Sequence, residues 1–473
     1  MQRQPQQQNK VRSHYQEERS LLSAKRLFGT DGIRGIANEE PMTPELAFRL
    51  GRALAYYVKN KEKREHVRFL LGRDTRCSGP MLEAALAAGL YSMGADALFA
   101  GIIPTPALAF LIGELGAEGG VVISASHNHA DDNGLKVFSY DGHKLNEKEE
   151  EVIEELILTS TIDSLRPRGA LLGRGMLVAD ALERYIISVT KITPSLSLEG
   201  IHIALDCANG AAYQSSPQIL RNLGATLFLF HDSADGKSIN KNCGSTHGEE
   251  LQRITLQSQA HLGIAHDGDA DRLLLCDEKG NLIDGDEILA ITALDALQRG
   301  TLRHRTLVTT MMSNFGLDEC LRKAGGEVVR TAVGDRHVLE AMEKGDFNIG
   351  GEQSGHLIFR DYSTSGDGIL AALQVLRIMV EKQQPLSLLR QCLKKYPQVQ
   401  RHLPVMTQPP LSLLRQKIPL IESIEERLAG KGRLLLRYSG TEPLLRLLIE
   451  GDDRALIHQA ADQLMEELQE VLS

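Results

Sequence analysis

The chain has 473 residues, 42% hydrophobic and 24% charged, with 53 Lys and Arg against 62 Asp and Glu and a formal net charge of −9. That length exceeds one hydrophobic core and implies three or four domains, and the composition is that of a folded, water-soluble chain rather than a disordered one. Acidic and basic residues are mixed, which leaves no basic face for nucleic acid or anionic lipid, and no run of about 18 apolar residues is present to cross a membrane.

Residues 1–24, opening MQRQPQQQNK, are Gln- and charge-rich with little periodicity. They predict a flexible extension, too polar for the core of a signal peptide, so the expected location is the cytoplasm. A first α/β region is expected over 25–175. It begins with FGTDGIRG, which sets Thr30, Asp31, Gly32 and Arg34 on a glycine-flexed loop. From Val67 onward β-rich runs alternate with amphipathic ones: RFLLGRD, MLEAALAAGLYSMG, DALFAGII, ALAFLIGELG, GGVVISAS. That rhythm signals βαβ units and a largely parallel sheet. Arg34 suits a phosphate, and Arg73, Asp74, Arg76 and Ser78 of GRDTRCSG read as scaffold around it. SASHNHADDNG then places Ser124, Ser126, His127, Asn128, Asp131, Asp132 and Asn133 ahead of Lys136. Ser126, at the end of a buried strand, suits a nucleophile, with Lys136 to neutralise a phosphate placed on it. A polar turn punctuated by Asn133-Gly134 accounts for the same residues.

The rhythm restarts over 176–280 with GIHIALDCANG, SPQILRNLG and ATLFLF, and closes on LGIAH, DGDAD and RLLLCD. Asp267, Asp269 and Asp271 alternate in one short loop. Three carboxylates so close repel one another unless a cation gathers them, and an all-oxygen set suits Mg²⁺, Mn²⁺ or Ca²⁺; a solvated acidic turn is the alternative. An EF-hand fails, because Arg272 stands where that loop needs Gly and strands flank the triplet. A third region, 281–395, runs from TLVTTMMSN through LDECLRKAG and GEVVRTA to FNIG, GEQSG and HLIF. Its GGEQSGH segment carries Glu352, Gln353, Ser354 and His356; carboxylate, amide and hydroxyl together can hold neighbouring sugar hydroxyls, while His356 also reads as a structural residue. Thr246 and His247 of CGSTHGEE, and Gly334, Asp335, Arg336 and His337 of VGDRH, read as polar linings or as turns.

Each of these three regions therefore ends on a strand, a polar loop and a second strand, which predicts a repeated architecture. Over 396–473 the pattern changes to strands and helices without βαβ rhythm, predicting a smaller α+β domain. There RYSGTEP combines Arg437 with Ser439, Gly440 and Thr441, followed by Arg446: a fork for phosphate, or a Ser-Gly turn. The six cysteines are scattered, with no CxxC pair and no histidine at metal-site spacing, so they read as reduced and mostly buried.

Taken in order, FGTDGIRG, SASHN with NGLK, DGDADR, GGEQSGH, SGDG and RYSGTEP resemble the α-D-phosphohexomutase superfamily over residues 28–451. The resemblance implies four domains around a central cleft: three similar α/β domains with mixed, largely parallel sheets and a smaller C-terminal α+β domain. It implies Ser126 as a phosphoserine, and one Mg²⁺ per subunit held by Asp267, Asp269, Asp271 and the Ser126 phosphate oxygen. Glu352 and Ser354 would bind sugar hydroxyls; Arg437, Ser439, Gly440 and Thr441, with charge from Arg446, would bind the phosphate the substrate already carries. Lys136, Arg34 and Arg272 would steady the moving group, and Lys136 or His356 would serve as general base. The implied activity is intramolecular phosphotransfer on a small phosphosugar. The GEQSGH loop and the GTDGIRG start favour interconversion of glucosamine 6-phosphate and glucosamine 1-phosphate through the 1,6-bisphosphate, supplying UDP-N-acetylglucosamine and cell-wall precursors. Mannose or glucose phosphates are the alternative substrates, a non-catalytic sugar-phosphate sensor is the alternative class, and the expected assembly is a monomer or homodimer. Two residues depart from the superfamily pattern: His129 and Gly248 stand where proline is usual.

Overall fold

Apolar runs bounded by glycines and polar turns form strands, and the amphipathic runs between them form helices, in a computed structural model that describes residues 26–159, 161–439 and 443–472. The expected extension 1–24 and two members of the phosphate fork, Gly440 and Thr441, lie outside the described residues.

The first sheet contains β1 (Ile33–Ile36), β2 (Arg68–Arg73), β3 (Asp96–Ile102), β4 (Gly119–Ile123), β5 (Asp132–Ser139) and β6 (Gly175–Leu177), in the order β1-β5-β4-β2-β3-β6. Strands β4, β2, β3 and β6 run parallel, while β5 is antiparallel to β4 and to β1. Strand β4, GGVVI, is buried along its whole length, as a strand covered on both faces must be. Strand β6 is exposed throughout and is not announced by the sequence rhythm. The helix Pro44–Glu62 starts where Thr43 accepts a hydrogen bond from the Leu46 amide and proline fills the first turn, and it turns Leu46, Leu50 and Leu54 into the core.

The second sheet has β7 (His202–Asp206), β8 (Thr226–Phe230), β9 (Leu262–His266), β10 (Leu273–Asp277) and β11 (Leu282–Ile283), ordered β11-β10-β9-β7-β8. Its centre is parallel, and β10 and β11 are antiparallel. The third has β12 (Thr306–Thr310), β13 (Glu327–Thr331), β14 (Ile349–Gly351) and β15 (Leu357–Phe359), ordered β13-β12-β14-β15, with β14 and β15 antiparallel. The predicted repeat is therefore present. In each sheet one antiparallel pair (β4–β5, β9–β10, β14–β15) is joined by a polar loop singled out above, so the same position of three similar frames presents SASHN, DGDAD and GEQSG. The last sheet, β16 (Gln398–Pro404), β17 (Gly432–Tyr438) and β18 (Leu444–Gly451), is wholly antiparallel in the order β16-β18-β17. Its core takes Ile421, Ile424 and Leu428 from one helix and Ile457, Ala461, Leu464 and Leu468 from the C-terminal helix, giving the smaller α+β domain expected.

By compactness the described residues form two units. Met312–Val328, with the helix Gly316–Lys323, groups with the chain from Gln391 onward, and the rest of the described residues form the other unit. No helix among the described residues is long and apolar enough to cross a membrane. All six cysteines are free. Cys207, Cys243 and Cys276 are buried, but Cys77 and Cys392 are exposed, so burial is less general than expected. Gly248 packs closely: a Cβ there would fall 2.6 Å from Leu282 Cδ1, so a proline at this place would require the Leu282 side chain to shift.

Candidate active site

Ser126 follows β4 directly and takes φ +53°, a left-handed conformation that costs a non-glycine residue roughly 1–2 kcal/mol. What holds it there is chiefly Arg76, whose guanidinium is completely buried. Its Nε donates to Asp74 Oδ2 (2.9 Å), Nη1 to the carbonyls of Asp132 (2.9 Å) and His129, and Nη2 to those of Asn128 (2.9 Å) and Ser126 (3.1 Å). Asp74 Oδ2 also accepts from Ser124 Oγ (2.6 Å), and that hydroxyl accepts from the Ser126 amide (2.9 Å). Arg76 is thus scaffold, as read from the sequence. Its hold on the His129 carbonyl supplies the rigidity that the missing proline would have given.

Asn240, from the second α/β region, donates through Nδ2 to the carbonyls of Ser126 (2.8 Å) and Asn128 (3.0 Å). Sequence reasoning missed it; the one available signal is the pair Asn240 and Asn242, both at positive φ, where asparagine is the most tolerant side-chain-bearing residue. Asn240→Ala leaves two buried carbonyls a donor short, so a loss of about 1–3 kcal/mol is expected, measured by urea unfolding, with a fall in turnover of about tenfold or more from a loosened serine. Unchanged stability and rate would remove Asn240 from the site.

The Ser126 Oγ donates to Asp267 Oδ2 at 2.6 Å. The two loops meet backbone to backbone, since a Cβ on Gly268 would lie 2.5 Å from the Ser126 carbonyl oxygen; only glycine fits between the first two aspartates. Asp267, Asp269 and Asp271 are buried, and each offers one carboxylate oxygen within 4.8 Å of the others. Asp269 Oδ2 accepts from Lys136 Nζ (2.7 Å) and Thr105 Oγ1 (2.5 Å), and Asp271 Oδ2 from Lys136 Nζ (3.3 Å). The second oxygens, Asp269 Oδ1 and Asp271 Oδ1, are buried without a hydrogen-bond partner. Burial first, then the carboxylates of Asp271 and Asp269, push Asp267 up to about 8. Unpartnered hard oxygens around a carboxyl that cannot easily ionise are the donor set a small divalent cation completes. This buried triad can bind a metal.

Around the triad, charges alternate. Burial works against the charge on Lys136, but Asp269, Asp31 (3.1 Å) and Asp271 outweigh it and hold the ammonium well above its ordinary value. Asp31 also contacts Arg34 and Lys144, and Lys144 Nζ lies 2.5 Å from Asp335 Oδ2. His356 closes the ring, with Nδ1 3.6 Å from Asp271 Oδ1 and Nε2 3.7 Å from Asp335 Oδ2. Burial lowers its affinity for a proton, yet Asp271 and Asp335 prevail and raise it to about 9. The loops of all three α/β sheets are therefore linked by charge. Arg34 Nη1 reaches the Ala125 carbonyl and Asn128 Oδ1, both at 3.2 Å, and the Arg272 amide donates to Asp267 Oδ1 at 3.2 Å. Lys144 and Thr105, like Asn240, were not singled out by sequence.

In the third loop Glu352 is half-buried and its Oε1 accepts from the Gly334 amide (3.0 Å), joining GEQSGH to VGDRH, while Ser354 is exposed. In the C-terminal unit Arg437 and Arg446 are cross-strand partners on β17 and β18 and line one pocket with Gln400 and His402. Burial and the neighbouring Arg446 make Arg437 easier to deprotonate than usual; two guanidinium groups on facing positions repel unless an anion lies against them. Ser439, buried nearby in sequence, donates its amide to the Leu444 carbonyl (2.8 Å).

Family models for phosphoglucomutase/phosphomannomutase match this chain in four consecutive pieces: alpha/beta/alpha domain I over residues 25–163, domain II over 181–280, domain III over 284–396 and the C-terminal domain over 393–467. The chain is 50% identical over 430 residues to a phosphoglucosamine mutase of Geobacter sp. (strain M21), covering 91% of this chain and 94% of the relative. It is 49% identical over 441 residues to a phosphoglucosamine mutase of Syntrophotalea carbinolica, covering 93% and 96%. Among solved structures it is similar to a phosphoglucomutase/phosphomannomutase family protein from Burkholderia thailandensis, with a TM-score of 0.77 and 23% identity over 94% of this chain and 97% of that one. It is also similar to the N-acetylphosphoglucosamine mutase of Aspergillus fumigatus, solved with GlcNAc-6P and magnesium, with a TM-score of 0.67 and 17% identity over 97% and 99%. At those identities the structural likeness is one of fold.

Proposed function

The chain belongs to the phosphoglucomutase/phosphomannomutase family, with phosphoglucosamine mutases as half-identical relatives, and on that premise we propose that it isomerises glucosamine 6-phosphate and glucosamine 1-phosphate through a phosphorylated Ser126. The observation that carries this reading is the 2.6 Å contact between Ser126 Oγ and Asp267, within a buried triad in which Asp269 Oδ1 and Asp271 Oδ1 accept no hydrogen bond.

Asp267, Asp269 and Asp271, with an oxygen of the Ser126 phosphate, are the residues that would hold one Mg²⁺. When bound, the ion supplies positive charge against the phosphoryl oxygens. The chain's own groups do the rest. Arg76 and Asn240 fix the serine so that its phosphate faces one direction, and positioning accounts for much of the barrier lowering in phosphoryl transfer. Lys136, held protonated at Nζ, together with Arg34 and Arg272, neutralises the moving group. His356, protonated at neutral pH by the same logic, adds a further positive charge between Asp271 and Asp335. A base role for Lys136 or His356, at the proton leaving the sugar hydroxyl, needs its carboxylate partner drawn away first.

Glu352 and Ser354 would hold the sugar hydroxyls, and Arg437, Ser439 and Arg446, with Gly440 and Thr441, would bind a phosphate. After Ser126 has passed its phosphoryl group to the free hydroxyl, the 1,6-bisphosphate turns round and returns the other phosphate to Ser126. The enzyme would work in the cytoplasm, as a monomer or homodimer.

Substrate choice has its own test. With Mg²⁺ and a trace of sugar bisphosphate as activator, rates on glucosamine 6-phosphate should exceed those on mannose 6-phosphate and glucose 6-phosphate by about tenfold or more, because a site that hydrogen-bonds an amine discriminates against analogues lacking it. Equal or faster rates on either of the others would reassign the substrate and leave the phosphoserine reading untouched.

A further inference from the structure

Outside this site, one other cluster of metal-ligating side chains stands out among the described residues. Asp206 ends β7, His231 directly follows β8, and Cys243 lies in the loop beyond. Each offers a donor atom within 4.8 Å of the others. We propose that Asp206, His231 and Cys243 form a second metal site, for a borderline divalent cation such as Zn²⁺, chemically distinct from the aspartate triad.

Three features of the geometry carry this. Asp206 is aimed by backbone: its Oδ1 accepts from the Ala208 amide (2.8 Å) and its Oδ2 from the Gly244 amide (2.9 Å). His231 Nδ1 is buried and 3.1 Å from Asp206 Oδ2. On the far side of the ring, Nε2 lies 3.3 Å from Glu250 Oε2. A carboxylate holding one imidazole nitrogen while the other faces a second potential ligand is how proteins orient a metal-binding histidine. His231 also sits at φ +48°, a backbone cost that a bound ion offsets. Cys243 is fully buried beside that pair, with its Sγ in the cluster of donor atoms. A bound dication would stabilise the Cys243 thiolate and release its proton to solvent.

A sulfur, a nitrogen and an oxygen suit Zn²⁺ or Co²⁺, whereas Mg²⁺ demands oxygen alone. The loop that carries Cys243 also carries Asn240, which grips the Ser126 carbonyl, and the turn after Asp206 carries Asn209, whose carbonyl accepts from Thr75 Oγ1 at 2.6 Å. A cation at Cys243 would therefore stiffen the segment from which the serine loop is held.

The probe is Co²⁺, titrated into the metal-stripped full chain and followed by absorbance. One equivalent should produce a thiolate-to-cobalt charge-transfer band. The band should persist in Asp269→Asn and in the double variant Cys77→Ser/Cys392→Ser, and vanish in Cys243→Ser. His231→Gln and Glu250→Gln should weaken Co²⁺ binding about tenfold or more, and these two milder changes keep the test valid if Cys243→Ser does not fold. No band at one equivalent in the folded chain, a band that survives Cys243→Ser, or unchanged affinity in both His231→Gln and Glu250→Gln would overturn the proposal.

Discussion

Ser126→Ala should lose mutase turnover by about 10⁴-fold or more while the chain folds as before. The size follows from the chemistry: without Oγ no covalent phosphoenzyme forms, and neither the triad nor Lys136 offers another acceptor for the phosphoryl group. The neutrality of folding follows from the geometry. Alanine tolerates φ +53° about as well as serine, the clamp from Arg76 and Asn240 is made to backbone carbonyls, and the hydroxyl's hydrogen bond goes to Asp267, whose charge is already disfavoured. A stability change within about 1 kcal/mol is expected. Intact-mass measurement supplies the second half of the test. The active wild-type chain should carry one added phosphoryl group that maps to Ser126, and Ser126→Ala should not. A folded Ser126→Ala protein with near-normal rates would sink the phosphoserine mechanism, whatever the substrate.

How legible this site is in the sequence depends on whether its parts are neighbours in the chain. The Asp267, Asp269, Asp271 triplet is local, and its alternation between two apolar runs already implies a loop joining paired strands. The repeat of strand, polar loop and strand is local too, so three similar α/β frames can be read without any coordinates. Arg76 is different. Its sequence context marks it as scaffold, but that one side chain gathers the carbonyls of Ser126, Asn128, His129 and Asp132 follows only from the fold. Lys144 and Thr105 carry no local signal and Asn240 only its pairing with Asn242, because each acts on a partner more than 100 residues away: Asn240 on Ser126, Lys144 on Asp31 and Asp335, Thr105 on Asp269. The cluster of Asp206, His231 and Cys243 escaped for the same reason. Metal-site spacing rules describe closely spaced ligands, and here Asp206 comes from the end of β7 while His231 and Cys243 sit far apart in the long connection after β8.

The charge ring makes Lys136 the second decisive residue. Lys136 is fully buried among Asp31, Asp269 and Asp271, so Lys136→Met removes the one cation those three carboxylates share. A methionine fills the volume but takes from Asp269 its ammonium partner and leaves Asp31 and Asp271 to Arg34, Lys144 and His356, and breaking a buried ionic arrangement from one side costs about 3–5 kcal/mol. The loss should appear in chemical denaturation without divalent ions. Adding Mg²⁺ should then raise the melting temperature of Lys136→Met more than that of wild type, since binding to the native state contributes more where the aspartates are less neutralised. Turnover should still fall about 10²-fold or more at saturating Mg²⁺, because a preorganised ammonium at Asp269 and Asp271 is lost and a cation held by the triad would not replace it. A stability loss under about 1 kcal/mol together with an unchanged response to Mg²⁺ would show that Lys136 is not the counter-ion of the triad. Full turnover in a folded Lys136→Met chain would remove it from the chemistry as well.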